Sequence, residues 1–180
     1  VTATMPVGQT SLYDSLIAAI EQAKGSSYGK RAVILLTDGV DSTSKTERSK
    51  LNRVLLENDI PVYSVSLNHD LFSLKNHFSS TDLQKKAAEQ FFTDLALMTG
   101  GTSFFPINEK ELTLCLDKIA KELRNQYLIG FKPTCNHKAD KSHRVKVRLS
   151  EKTNVAAMSK TISIRHREEY KISLVPSHSK

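Results

Sequence analysis

The 180-residue chain lacks most of the signals that commit a sequence to a specialised class. Two cysteines, Cys115 and Cys135, are too few for a disulfide framework. Cys115 lies among Leu112, Leu116 and Ile119 and reads as a small core residue, while Cys135 follows Pro133 in a polar loop. No apolar run approaches the roughly 20 residues of a membrane span. The opening residues, VTATMPVGQT, have neither the charged start nor the apolar stretch of a signal peptide. No Asn-x-Ser/Thr sequon occurs, so nothing marks a glycosylated surface. Catalytic signatures are missing too: there is no Gly-x-Ser-x-Gly elbow, no Gly-rich phosphate loop and no His-Glu-x-x-His. No two acids form an evident acid/base pair. These absences argue against an enzyme.

Acid is scarce in one region only. Residues 1–130 hold 14 Lys and Arg against 15 Asp and Glu, whereas residues 131–180 hold 12 against 4. The net charge of +7 therefore resides in the last 50 residues. Hydrophobic content of 39% with 25% charged residues is that of a globular domain with a packed core.

What is present is an alternation of helix and strand patterns. Leu12, Leu16, Ala19, Ile20 and Ala23 form one apolar stripe, with Ser11 and Asp14 as a capping pair and Gly25 as a stop. Ala32 to Thr37 is a short, nearly unbroken apolar run, the pattern of a strand buried on both faces. Ser44 and Glu47 are placed to cap a second helix carrying Leu51, Val54 and Leu55. Asp59 to Leu67 is a second strand with Pro61 at its start, and Asn68 to Ser80 is a polar loop. Thr81 and Gln84 open a third helix with Leu83, Ala87, Phe91, Leu95 and Met98 inward, stopped by Thr99-Gly100-Gly101. A short strand, TSFFP, precedes a fourth helix capped by Asn108 and Glu111, with Leu112, Cys115, Leu116, Ile119 and Leu123 inward. This order predicts βαβ units on a parallel sheet.

After Arg124 the pattern changes. QYLIGFKP is strand-like, HRVKVRL sets Val145, Val147 and Leu149 against Arg144, Lys146 and Arg148, and TISIRH repeats the alternation. Antiparallel strands with one wet face have this pattern, so most of the positive charge is predicted to be a solvated strand surface.

The chemistry that these residues offer is that of hard oxygen ligands. Asp38 follows the apolar run, at the strand end where ligands of open α/β sheets bind. Thr10 precedes the first helix. A hydroxyl and a carboxylate in neighbouring loops suit Mg²⁺ or another divalent cation, or else serve as ordinary helix and turn caps. Cys135, His137 and His143 match no zinc spacing.

At these residues the chain resembles a known family. VGQTSLYDSLIAAI, RAVILLTDGVDS, IPVYSVSL and LALMTGGTSFFP are similar to stretches of the von Willebrand factor A domain. IAKELRNQYLIGFKP, HRVKVRL and ISIRHREEY resemble the C-terminal part of bacterial VWFA-related proteins, which add a small β extension. The resemblance implies an α/β fold with a doubly wound, Rossmann-like, mainly parallel sheet. Residues 1–124 would be the C-terminal part of that domain and residues 125–180 the antiparallel β extension packed on it. It also implies a metal-ion-dependent adhesion site. Of its three ligand motifs, Gly-x-Thr matches Thr10 and Thr-Asp-Gly matches Asp38. The third, Asp-x-Ser-x-Ser, has no match: Asp41 has Thr43 and Lys45 two and four residues on, and reads as a loop acid or as support behind the ligands.

Two expectations follow from the missing motif. With two protein oxygens, a divalent cation is expected to bind weakly or not at all. In the family, moreover, the strand matching Ala32–Thr37 pairs with a neighbour that belongs upstream of Val1. Its edge is expected to be bare, or covered by the N-terminal residues, the C-terminal strands or another chain, with an apolar face near Ile34 and Leu36. The implied function is non-catalytic, adhesion-type protein binding, in which an acidic side chain of a protein partner completes the cation's shell. The resemblance alone favours an extracytoplasmic, periplasmic or secreted location. The alternative is a basic surface for nucleic acid or an anionic surface, through Arg144, Lys146 and Arg148 with Arg165 and Arg167. Nucleic acid is the weaker alternative, because Tyr170 is the one aromatic near those cations.

Overall fold

The computed structural model describes residues 9–37, 41–67, 82–127, 129–131, 142–148 and 166–171. Helix α1 (Leu12–Lys24) leads into strand β1 (Val33–Thr37), helix α2 (Arg48–Glu57) and strand β2 (Val62–Ser66). Helix α3 (Asp82–Thr99), strand β3 (Ser103–Phe104) and helix α4 (Glu109–Arg124) follow. Strands β4 (Ser142–Arg144) and β5 (Glu169–Lys171) complete the described elements. The first three strands form a parallel sheet in the order β1-β2-β3, and β4 pairs with β5 antiparallel. The chain is thus α/β with a small antiparallel sheet.

Strand β2 is buried at every position and is the centre of the sheet. Its two faces have different cover. On one, Val62 joins Leu12, Leu16 and Ile20 of α1, Leu51 and Leu55 of α2, and Phe91, Phe92 and Leu95 of α3. On the other, Tyr63 and Val65 pack with Ile119, and with Leu112 and Leu123 at the margins. Ser64 sits in this apolar setting because its hydroxyl donates to Ser103 Oγ at 2.7 Å, which in turn donates to the Phe92 carbonyl.

The third helix is stopped as its sequence predicts, and the turn shows why two glycines stand there. Gly100 has φ +77°, and its N–H donates to Ala96 O at 2.8 Å, a left-handed helix stop. A Cβ on Gly101 would lie 1.9 Å from the Val62 carbonyl oxygen, so β2 approaches too closely for any side chain. Thr99 is buried and donates to Leu95 O at 2.8 Å while accepting from Val62 N–H at 3.1 Å. The Thr-Gly-Gly triplet is a packing device.

Several expectations need correction. Strand β1 is not buried on both faces: Val33 and Leu35 pack inward, but Ile34 and Leu36 are 43% and 51% exposed. Among the described strands β1 is at the edge, and the apolar face anticipated near these two residues is present. In α3, Phe91, Leu95 and Met98 pack inward as expected, joined by Ala88 and Phe92, whereas Ala87 is exposed. The stripe was read one residue too narrow, because α3 touches both the sheet and α2. In α4, Leu116 is 41% exposed, being on the helix flank toward which no described element packs. Neither expected cap on α1 or α2 forms: Ser11 and Glu47 make no side-chain cap bond, and Ser44 serves a different helix. The expected box forms at α4, with Glu111 N–H bonding Asn108 Oδ1 at 2.9 Å and Glu111 Oε2 accepting from Ile107 N–H at 3.1 Å.

Beyond α4, the described parts of QYLIGFKP carry no strand, β4 covers only the start of HRVKVRL, and β5 follows TISIRH rather than coinciding with it. Side-chain alternation nonetheless holds: Arg144, Lys146 and Arg148 are exposed, and Val145 and Val147 half-buried. The Asn68–Ser80 loop, Thr81, Leu149 and most of TISIRH lie outside the described residues.

The glycine geometry gives a stability test. Gly101→Ala is expected to cost about 1–3 kcal/mol through overpacking against β2. Gly29→Ala, with nothing within 4 Å of the new methyl, should leave the urea midpoint almost unchanged. Equal midpoints for the two variants would contradict the close approach.

Candidate functional site at the carboxyl end of β1

The loop before α1 and the loop after β1 are laced together. Thr10 N–H donates to Ser42 Oγ at 2.8 Å, and the Thr10 carbonyl accepts from Ser42 N–H at 2.9 Å and Thr43 N–H at 3.3 Å. The Ser11 and Thr43 hydroxyls lie 3.0 Å apart. These bonds hold the exposed Thr10 beside the chain that leaves β1, so Gly-x-Thr and the loop after the strand share one corner. Asp38 lies outside the described residues.

Asp41 is committed to the fold. Its Oδ1 accepts from Tyr13 N–H at 3.2 Å and from the Ser44 hydroxyl, and its Oδ2 accepts from Ser44 N–H at 3.3 Å. Ser44 Oγ also accepts from Tyr13 N–H at 3.0 Å and Asp14 N–H at 3.1 Å. The orphan amides that open α1 are therefore capped from a loop about 30 residues away, with Asp41 adding negative charge at the positive helix end. Asp14 returns the connection, accepting from Lys45 N–H at 2.8 Å and Thr46 N–H at 3.1 Å. Sequence reading assigned Ser11–Asp14 and Ser44–Glu47 as two local caps. The structure crosses the partners without exchanging the caps: Ser44 caps α1, whereas Asp14 bonds amides that precede α2, a pairing between distant segments that local spacing does not encode.

These commitments decide what the corner can hold. A divalent cation needs several oxygens with uncompensated lone pairs. Asp41 accepts three such bonds and Asp14 two, which leaves the Thr10 hydroxyl as the oxygen without an assigned bond among the described residues of the corner.

Arg144, Lys146 and Arg148 line one exposed strip, with Val145 N–H bonded to Glu168 O at 2.8 Å behind it. The nearby aromatics are occupied: Tyr170 stacks on His143 at 5.3 Å and meets Phe131 edge-on at 5.7 Å. Arg167 is not a surface contact. Its side chain is 15% exposed and donates to Leu56 O and to Asn58 O, at 3.1 Å for the latter, capping the C-terminal end of α2. Burial pulls its pKa down while Asp59, 3.9 Å away, pushes it back up. Arg165, Cys135 and His137 lie outside the described residues.

No family model matches the chain, and no curated protein matches it.

The crossed caps predict a specific order of effects. Asp41→Ala and Ser44→Ala should each cost about 1 kcal/mol, as removed N-caps do, whereas Glu47→Ala should change stability little. A larger loss at Glu47 than at Ser44 in urea unfolding would restore the local assignment. The Thr46 hydroxyl, then the Lys45 amide, hold the Asp14 carboxyl below its ordinary 3.8. A depressed folded pKa means that the stabilisation is complete above the ordinary value and is lost as pH falls through the lowered one. Hydrogen exchange at the Lys45 and Thr46 amides should therefore accelerate below pH 3.8, beyond the intrinsic trend, and Asp14→Asn should abolish that step.

Proposed function

We propose that the chain is a non-catalytic, adhesion-type protein-binding module of the von Willebrand factor A kind, with a remnant of the metal-ion-dependent adhesion site. The observation behind this reading is the lacing of the Thr10 loop to the loop after β1. It brings the Gly-x-Thr hydroxyl to the strand-end corner where the resembled family holds its cation. A parallel sheet with helices agrees with that family's architecture, and no catalytic signature competes with the reading. In the resembled family, the partner's acidic side chain completes the cation's coordination. Here Asp41 bonds the start of α1 and Asp14 bonds loop amides, so the cation contribution in this reading is reduced to Thr10 and Asp38.

Calorimetric titration with Mg²⁺ and Mn²⁺ tests this. The expected result is weak binding without saturation at micromolar cation, unchanged by Asp41→Asn. Tight, saturable binding that Asp38→Ala removes would overturn the remnant reading.

A second reading has the exposed strip of Arg144, Lys146 and Arg148 in its favour. It takes the C-terminal strands as an anionic-surface binder. The stacked Tyr170 and the buried Arg167 leave that strip without a base-stacking platform. Any binding to single-stranded nucleic acid should therefore be purely electrostatic. It should weaken steeply with salt, and Arg144→Ala should lower the slope by roughly 0.7. Salt-insensitive binding would eliminate an electrostatic mode.

A further inference from the structure

The antiparallel ladder of β4 and β5 is extended by a bond that the backbone alone does not make. His143 pairs with Tyr170 and Arg144 with Glu169. Bonded pairs recur every second residue, and the next one is present: Val145 N–H donates to Glu168 O at 2.8 Å. The pair after that sets Val147 opposite His166. There Val147 N–H donates to the imidazole of His166 instead, at Nε2, 3.4 Å away. A side chain thus stands in for a strand carbonyl.

The anchoring of the His166 backbone accounts for this. The His166–Arg167 peptide lies on Gly100, where a Cβ would meet Arg167 N at 2.8 Å and His166 C at 3.2 Å. Arg167 commits its guanidinium to the carbonyls of Leu56, Asn58 and Glu169. The segment is drawn down onto the ends of α2 and α3, and the His166 ring bridges from that anchor to Val147.

Both ring nitrogens are engaged, and one protonation state satisfies both contacts. Nε2 accepts from Val147 N–H, so the ring proton is on Nδ1, which donates to Arg167 O at 2.8 Å. A second proton must enter at Nε2. It would turn the acceptor into a donor facing the Val147 N–H, and the bond would be lost. Imidazole is the side chain that ordinarily gains a proton between about pH 5 and 8. We infer that His166 is a pH-sensitive clasp that holds Val147 and its neighbours to the segment anchored by Arg167, closed while the ring is neutral and open once it is charged.

Among the described residues, the charged groups around the clasp are mixed. Arg167, Glu168 and Glu169 follow the ring in its own segment, Arg144, Lys146 and Arg148 are exposed on the facing one, and Glu57 and Asp59 stand at the end of α2. A charged ring at Val147 would be flanked by Lys146 and Arg148, which adds repulsion to the lost bond. The other described imidazole, His143, stacks on Tyr170 outside the clasp. Opening would free Lys146 and Arg148 from a fixed strand, so pH would set how this part of the basic strip is presented. The clasp requires neither functional reading to hold.

Nitrogen-15 NMR of the full chain tests this. At about pH 8 the His166 ring should carry its proton on Nδ1, with Nε2 bare. As the ring titrates toward about pH 5, the Val147 amide should lose about two- to tenfold of its protection from hydrogen exchange, the scale of one net hydrogen bond. His166→Gln offers a carbonyl oxygen near the Nε2 position that does not titrate, and should keep Val147 protected throughout. His166→Phe should leave it unprotected throughout, and His143→Gln should leave the step in place. The tautomer of the native chain decides the matter even if a variant fails to fold. A neutral ring protonated at Nε2, a ring that stays neutral down to about pH 5, Val147 protection that does not follow the ring, a step retained in His166→Gln, or one abolished in His143→Gln would each overturn the inference.

Discussion

The complete burial of β2 is the constraint on which the rest of the described fold depends. A strand with no wet position must be covered on both faces and flanked on both sides. Helices α1, α2 and α3 supply one cover and α4 the other, while β1 and β3 supply the flanks. Burying a strand this way also forces exclusions. The turn that returns the chain beside it must carry Gly101, because the Val62 carbonyl occupies the space of a side chain. Polar residues within its reach must pass their hydrogen bonds inward, as Ser64, Ser103 and Thr99 do. The cover is unequal, however. Three helices lie on one face and a single helix on the other, which is why Ile34 and Leu36 on the α4 side of β1 stay exposed while Val33 and Leu35 do not.

Helix ends pose the second problem, and the fold solves it over long sequence distances. The orphan amides of α1 bond to Asp41 and Ser44, and the last carbonyls around α2 bond to Arg167. Both connections do more than cap a helix. The first draws Thr10 to the loop after β1, thereby creating the candidate corner. The second fastens the segment leading into β5 to the α/β unit, beside Gly100, whose missing Cβ admits the Arg167 backbone. Polar satisfaction, in this chain, is also what joins its parts.

Much of this was legible in the sequence, and the failures have a common cause. Apolar periodicity located all four helices and the three parallel strands, since burial on a core leaves a periodic trace in any one segment. The Asn108–Glu111 box was also readable, because both partners lie within one turn. What the sequence concealed were choices between local and distant partners. Ser44 has the same chemistry whether it caps α2 or α1, and nothing in its neighbourhood says that Tyr13 will be adjacent. Arg167 looks like one more cation on a basic strand until the α2 carbonyls are placed around it. The apolar run 32–36 carries no information on whether its neighbours are present, so its burial on both faces was misread from periodicity. The bare edge was anticipated only through the resemblance and its missing motif. At the candidate site, Thr10 and Asp38 could be listed as oxygen donors and Asp41 as a loop acid, but not that Asp41 would bond Tyr13 and Ser44 through both oxygens.

That last point bears on where recognition resides. A cation site at a strand end draws its affinity from carboxylates whose lone pairs are not otherwise engaged, and the loop after β1 has given Asp41 to a helix. Its described amides and hydroxyls bond Thr10, Tyr13 and Asp14, so these polar groups serve the fold. The edge of the same strand is the opposite: no formal charge within it, its outward main-chain groups opposed by no described strand, and two large apolar side chains in water. Apolar burial with main-chain hydrogen bonding yields favourable free energy without a bound ion, and its strength responds little to salt. The two features of β1 thus differ in kind: among the described residues the corner is polar and hydrogen-bonded, whereas the side chains of Ile34 and Leu36 are apolar and exposed.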